Sequence, residues 1–363
     1  MRTIKRAALS LGMATVLAGG AAAAFGTVDD FTATDSRPVA AASAARTLVV
    51  HPGQSIQAAV NRADPGDTVL IKPGHYRQSV LVAKDNLRLR GSGAGPGGTV
   101  ITPAAAPHGP CGTQGSGICV LDPSQQRTIV GAQVDSLEVR GFASDGVVGV
   151  GTRGFIVRNV TARNNGRYGI TKFASSGGQF IHNVTSGSAD AGIYVGDSPN
   201  ANTFIAGNDV SNNGFGILVR NAQHATIRFN EVHNNCIGIF VWWLPGVAGE
   251  SDISFNTSHH NNKFCPSGDE VHFNYSGSGI ALMGAHDTVI ANNSVLGNRG
   301  NTPVSGGIVL VSGQFDGGPP SSGNVIRDNT AFRDAPADII DHSGGTNTFR
   351  RNFCSRSMPG GLC

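Results

Sequence analysis

Between Arg167 and Val311 the chain alternates short apolar runs with polar corners and keeps returning to one phrase: an aromatic or small residue, then Gly-Ile, then strand-forming residues. Copies stand at Gly169-Ile170, Gly192-Ile193, Gly216-Ile217, Gly238-Ile239, Gly279-Ile280 and Gly307-Ile308. Their glycines step by 23, 24 and 22 residues and then by 41 and 28, which reads as one coil length carrying loop insertions. A second phrase runs in phase: Asn159, Asn183, Asn208, Asn230, Asn256, Asn292 and Asn329 each follow a short apolar run such as Phe155-Ile156-Val157. Each unit therefore predicts three short strands separated by turns. Stacking units at the interstrand spacing of roughly 4.8 Å puts the asparagines in a column whose amides bond up and down. Self-similarity at a fixed period predicts a stacked-repeat architecture, here a parallel β-helix. Alternating Leu, Val and Ile supply an inward row, and Gly and Asn take the left-handed angles that sharp corners need. No 3.6-residue period runs inside the unit, which excludes leucine-rich and ankyrin-type solenoids.

Ahead of the coils, Leu48-Val49-Val50 predicts a strand, and Ser55 caps a short helix with apolar Ile56, Ala59, Val60 and Ala63. Such a helix covers the open end of the stack, an unpaired edge over an apolar core. The coils start at Pro65-Gly66-Asp67-Thr68-Val69-Leu70-Ile71-Lys72-Pro73-Gly74-His75-Tyr76. With the Gly-Gln-Ser-Ile-Gln-Ala-Ala-Val phrase before it, this segment resembles the N-terminal cap of the pectin-lyase-like superfamily of secreted right-handed parallel β-helix proteins. The later repeats resemble the same group, including the repeat family shared with alginate epimerases and a periplasmic copper-enzyme maturation factor. The resemblance spans Thr47 to Cys354 and implies an all-β, right-handed parallel β-helix of roughly ten coils with a short N-terminal capping helix. The phrases that carry it hold the coil together whatever the surface does, so it implies fold and not activity. The Asp-Pro-His-Asp phrase of the alginate epimerases is absent, as are the acidic calcium cluster and arginine phrase of pectate lyases. No family catalytic residue carries over.

Residues 1–25 hold Arg2, Lys5 and Arg6, an Ala/Leu/Gly/Val run and Ala21 to Ala24, the pattern of a secretory leader. Gly12, Gly19 and Gly20 make the run too weakly apolar for an anchor. Residues 26–46 read as a linker and 47–363 as the β-helix domain. Removing the leader takes Lys+Arg from 27 to 24 against 24 acidic residues, so the mature chain is neutral and its bulk charge gives no reason to expect nucleic acid. The expected product is secreted, extracellular or cell-wall associated, without a membrane segment, and monomeric. Six cysteines in such a chain predict three bridges, Cys111–Cys119, Cys236–Cys265 and Cys354–Cys363.

With the isoleucine of each Gly-Ile inward, alternation sets Thr171, Tyr194, Leu218, Phe240, Ala281 and Val309 outward in one column and Gly196, Arg220, Trp242, Met283 and Val311 in the next. Phe240 and Trp242, with Trp243 and the loop residue His272, form the expected substrate-binding set, since rings on a flat face suit sugar rings. The alternative is that these rings bury the loop from Leu244 to Ser278. That loop carries Glu250, Asp252, Asp269, Glu270 and His272; the loop from Ser312 to Gly323 carries Gln314 and Asp316; the two read as groove walls. Lys172 occupies an inward position held elsewhere by Val or Leu, which means either a register shift or a buried lysine with a lowered pKa, usable as a base.

Lys172, Tyr194, Asp197 and Arg220 form the expected catalytic set. A uronate lyase or C5-epimerase must neutralise a carboxylate, remove the neighbouring proton and supply one, with or without Ca²⁺ held by carboxylates. Asp190 with Asp197 is a thin version of a hydrolase pair. His233 and His259, with His260 beside them, read as a stacked polar column or a copper or zinc site. The function expected is a secreted β-helix protein acting on or binding polysaccharide, a uronic-acid lyase or C5-epimerase. The alternatives are a non-catalytic glycan- or wall-binding module and, third, a metal-handling exported protein.

Overall fold

The computed structural model describes residues 44–363 apart from 269 and 270. The leader and most of the linker lie outside the described residues, as do Asp269 and Glu270. From Thr47 onward the chain winds through three parallel sheets of 12, 11 and 11 strands. One coil shows the plan: Phe204–Ala206 in the first sheet, Asp209–Ser211 in the second and Phe215–Ala222 in the third. Ile193, Ile217, Ile239, Ile280, Ile308 and Ile339 pair in register in the third sheet and point inward, all fully buried.

The asparagine column exists, and it is doubled. At the corner between the first and second sheets, Asn183, Asn208, Asn230, Asn256, Asn293, Asn329 and Asn352 form one ladder. Each amide oxygen accepts from the backbone and the side chain of the coil before, as when Asn208 N and Nδ2 donate to Asn230 Oδ1 at 3.0 and 2.8 Å. The freed hydrogen goes to a carbonyl further back, Asn208 Nδ2 to Phe180 O at 2.9 Å. Two expected members, Asn159 and Asn292, instead take left-handed backbone angles one residue before the ladder position, which Val160 and Asn293 hold. The corner is a two-residue turn whose first position needs positive φ and whose second needs an inward amide, and asparagine suits both.

A second ladder, Asn213, Asn235, Asn261 and Asn298 ending on Asp334, runs at the next corner. It explains the glycine of the Gly-Ile phrase. A Cβ on Gly238 would lie 2.3 Å from Ser258 Oγ and 2.8 Å from Asn261 Nδ2, and one on Gly279 would lie 2.8 Å from Asn298 Nδ2.

The capping helix spans Ile56–Arg62, with Ser55 Oγ accepting from Ala58 N at 3.1 Å and Ile56, Ala59 and Val60 buried against the first coil. All three disulfides close as expected. The long loop from Leu244 to Ser278 is not one loop. It contains a first-sheet strand, Asp252–Ser254, and a second-sheet strand, Thr257–His259, so the 41-residue step holds a complete coil with two insertions at different corners. The groove-wall pairing therefore fails. Residues 244–250 stand at the corner that the 312–323 loop also uses, Gly249 and Ser322 both bridging to His286, whereas the hairpin Phe264–Cys265/Tyr275–Ser276 leaves from the other side of the third sheet, after Asn261.

Removing one ladder amide leaves its neighbours' buried donors and acceptor unpaired, at about 1–3 kcal/mol for each group. Asn230→Ala should lower the denaturation midpoint by the equivalent of about 3 kcal/mol, whereas His233→Ala, in the same coil but outside the ladder, should leave it nearly unchanged. Equal midpoints for Asn230→Ala and wild type in chemical denaturation would show that the ladder is not a stabilising element.

Candidate functional site

Tyr194, Phe240 and Trp242 do point away from the coil interior, in the columns that alternation gives. None is open to solvent: their exposures are 0%, 0% and 1%. A second hydrophobic core covers the outer face of the third sheet, made by Phe215, Leu218, Phe240 and Trp242 from below and Val271 and Tyr275 from above. Its lid is the antiparallel hairpin Phe264–Cys265/Tyr275–Ser276, tied to the sheet by Cys236–Cys265. Tyr275 stacks on Phe215 at 4.5 Å, and Phe273 meets Trp242 edge-on at 6.1 Å. The rings expected as a sugar platform are the floor of a loop. Trp243 is wedged at the opposite corner, its Nε1 donating to Gly246 O at 3.0 Å and its ring lying against Gly318. His272 is exposed on the hairpin.

Lys172 keeps the register, opposite Val195, so no shift occurs. It lies fully inside the coil, where Nζ donates to Gly177 O at 2.6 Å and Ala201 O at 3.1 Å. Burial lowers its pKa to about 7. Pointing inward, it cannot touch a polymer on the outer face. Asp197 is exposed at the far end of the strand Ala191–Ser198, where it accepts from Asn221 Nδ2 at 3.3 Å. Asp190 precedes the same strand. Seven residues of extended chain separate the two by roughly 20 Å, beyond the roughly 5–10 Å of paired glycosidase carboxylates.

What the structure does bring together is Tyr194, Arg220 and three residues not singled out in the sequence: Arg167, Tyr168 and Phe173. Tyr168 and Tyr194 stack face to face at 4.5 Å. The Arg167 guanidinium lies over Tyr168 at 4.7 Å and that of Arg220 over Tyr194 at 5.4 Å, so a cation stands at each end of the ring pair. Tyr194 lies flat across Gly196, where a Cβ would come 2.1 Å from its hydroxyl, and Arg220 Nε donates to that hydroxyl at 3.0 Å. Burial raises the pKa of both tyrosines, which holds their hydroxyls protonated. Phe173 is half-buried at 5.0 Å from Tyr194 and continues into a half-buried apolar strip with Val150, Leu121 and Leu81. A cavity of about 430 Å³ opens beside the cluster, with Arg167, Asp190 and Tyr275 among its walls. Phe173 fills the outward position before Gly196 and Arg220, so the alternation that found those two also reaches it.

The metal candidates are differently engaged. His233 and His259 stack at 5.1 Å on the second sheet, but His233 Nε2 faces Asp209 Oδ1 at 3.2 Å and His259 Nε2 faces Glu231 Oε1 at 3.1 Å, a column of imidazoles each engaged by a carboxylate. Glu250 accepts from Gln223 at 2.6 Å, and Asp252 is bound by Arg228 at 2.8 and 3.1 Å. Among the described residues no three His, Cys, Asp or Glu side chains converge as a metal site.

Residues 108–265 match a family model described as periplasmic copper-binding protein (NosD). No curated protein matches the chain. Three solved structures share its fold, the right-handed parallel β-helix. The mannuronan C-5 epimerase AlgE4 A-module of Azotobacter vinelandii is 17% identical, with TM-score 0.55 over 83% of this chain and 91% of that one. The periplasmic alginate epimerase AlgG is 15% identical, with TM-score 0.57 over 85% and 84%. DFA-IIIase from Arthrobacter chlorophenolicus, without its lid, is 14% identical, with TM-score 0.55 over 84% and 94%.

Two predictions follow from these placements. Trp242→Ala should destabilise the chain by about 3–5 kcal/mol through the cavity it opens under the hairpin, where an exposed substrate-binding ring would cost little; an unchanged melting temperature would contradict the buried assignment. Lys172 binds its proton more weakly folded than unfolded, so its penalty, on the order of 5 kcal/mol, is complete below pH 7 and fades as pH rises to 10.5. Lys172→Met should therefore stabilise most at acid to neutral pH and progressively less toward pH 10.5. A gain independent of pH in urea denaturation would refute the buried-charge account.

Proposed function

We propose that this protein is an exported β-helix that binds or acts on an acidic, uronate-containing polysaccharide lying along the half-buried margin of the third sheet. The observation that carries the reading is the pair of guanidinium groups, Arg167 and Arg220, bracketing the Tyr168–Tyr194 stack beside the half-buried Phe173. Guanidinium groups bind carboxylates bidentately, and an aromatic ring takes the apolar face of a sugar. Two of the fold neighbours named above are uronate epimerases, which supports the substrate class. Three disulfides fit an oxidising compartment outside the cytoplasm; we place the protein in the extracellular space or on the wall, as a monomer.

Recognition is the activity the geometry supports best, because both tyrosine hydroxyls belong to fully buried residues. Turnover as a lyase or C5-epimerase is the second reading, and the Arg220–Tyr194 hydrogen bond favours it: a protonated phenol beside a carboxylate-binding cation is a usable proton donor once the substrate displaces its cover. Lys172 has no part in that chemistry.

Binding of alginate, polygalacturonate and hyaluronan should exceed that of neutral glucans and mannans. Arg167→Gln and Arg220→Gln should each weaken it about tenfold, or about 1.4 kcal/mol in calorimetry. Equal affinity for neutral glycans, or wild-type affinity in both variants, would defeat the proposal. Ultraviolet absorbance of unsaturated uronate ends, and NMR of sugar composition for epimerisation, distinguish turnover from binding.

A further inference from the structure

The half-buried strip on the third sheet does not stop at Phe173. Phe173 pairs with the half-buried Val150, and in the neighbouring column the buried Val148 and Cys119, packed in the same cluster, lead to the half-buried Leu81, which is also a wall of a separate cavity of about 520 Å³. That cavity lies between the capping helix, the residues Arg77 to Ser79 and the short helix Gly109–Thr113, which Cys111–Cys119 ties to the sheet.

Its walls are organised polar groups. Gln57 is fixed at both ends: Oε1 accepts from Leu81 N at 2.7 Å, and Nε2 donates to Leu81 O at 3.0 Å and to Asn61 Oδ1 at 2.9 Å. Gln78 Oε1 accepts from Ile56 N at 2.8 Å. These bonds engage the amide oxygens, so the wall residues Asn61, Arg77, Gln78 and Ser79 bring mainly donors to the cavity: Asn61 Nδ2, one hydrogen of Gln78 Nε2, the Ser79 hydroxyl and the Arg77 guanidinium. No carboxylate stands among its described walls, and Arg77 and His108 are its titratable groups. A donor-rich cavity with a cation and no acid suits a carboxylate with hydroxyls around it.

The position adds a second constraint. Val80–Val82 is the terminal strand of the third sheet, so the strip has no rung beyond Leu81, and the capping helix closes the way. We propose that the cavity is a terminal subsite that takes the carboxylate and hydroxyls of the last sugar of an acidic glycan, so that the protein reads a chain end. This rests on the reading above that the third-sheet strip holds such a glycan.

The test is calorimetric titration of the full chain with short oligogalacturonates and oligomannuronates, native or with either end chemically blocked. Arg77 is exposed and outside the coil core, so Arg77→Gln should keep the wild-type melting temperature while binding native oligomers about tenfold more weakly. Blocking one end should reproduce that loss in wild type and add little in the variant. If Arg77→Gln and end-blocked oligomers bind like wild type and native oligomers while Arg220→Gln binds weakly, the terminal subsite is refuted and the glycan reading stands. If wild type binds no acidic oligomer or polymer, both fall.

Discussion

An amide buried in an apolar coil is tolerable only when its oxygen and both hydrogens find partners, and here the partners are the same residue type in the coils on either side and a backbone carbonyl of the preceding coil. That requirement fixes the vertical register of the coils from Asn208 to Asn298 at two corners at once. Strand side chains alternate with a period of two, so a slip of one residue would carry the isoleucine column out and Tyr194 or Phe240 in. The ladder atoms also reach into the third sheet, where their amides and the carbonyls of the next coil leave no room for a Cβ on Gly216, Gly238 or Gly279. Gly-Ile and Asn-Asn are thus two halves of one packing unit, and the outer face on which any ligand must lie inherits its order from them.

That face is divided between two uses. From Phe215 to Met283 its rings are consumed in seating the hairpin, which adds a second apolar core outside the coil and is held by Cys236–Cys265. Toward the N-terminal end the cover thins: Tyr168 and Tyr194 are still buried in that core, and Arg167, Phe173, Val150 and Leu121, like Arg220 beside Trp242, are half-buried. Large rings bury more apolar surface under a loop than they could against a hydrated sugar. The cluster that remains at the margin carries the charge.

The sequence reading reached the coil plan, the inward and outward columns, the capping helix and the bridges because each is local or repeats. It missed what depends on chain returning from elsewhere. Phe240 and Trp242 stand where alternation puts them, yet their burial is decided by Val271, Phe273 and Tyr275, which lie near the end of a 41-residue step that looks like one loop. Lys172 was legible as an anomaly; that the coil keeps its register around a buried amine depends on two carbonyls, those of Gly177 and Ala201. Asn159 and Asn292 were misassigned because one residue type serves adjacent positions of the turn for different reasons.

The three corners of the coil are unequal, and the inequality accounts for where the surface varies. The first two have asparagine ladders, and the hairpin leaves only after Asn261 has made its ladder bonds, so the insertion does not interrupt the column. The third corner lacks a ladder asparagine until Asn324 and uses shorter groups: Thr152 Oγ1 donates to Ser175 Oγ at 2.9 Å, Ser175 N to Ser198 Oγ at 3.0 Å, and Lys172 reaches two carbonyls from inside. A hydroxyl spans one step and satisfies fewer backbone groups than an amide, so this corner accommodates looser turns, and the 244–250 and 312–323 insertions stand there. The sheet flanked by the loosest corner on one side and the hairpin on the other is the third. A rigid floor with variable margins is the arrangement on which a binding site can change without disturbing the fold.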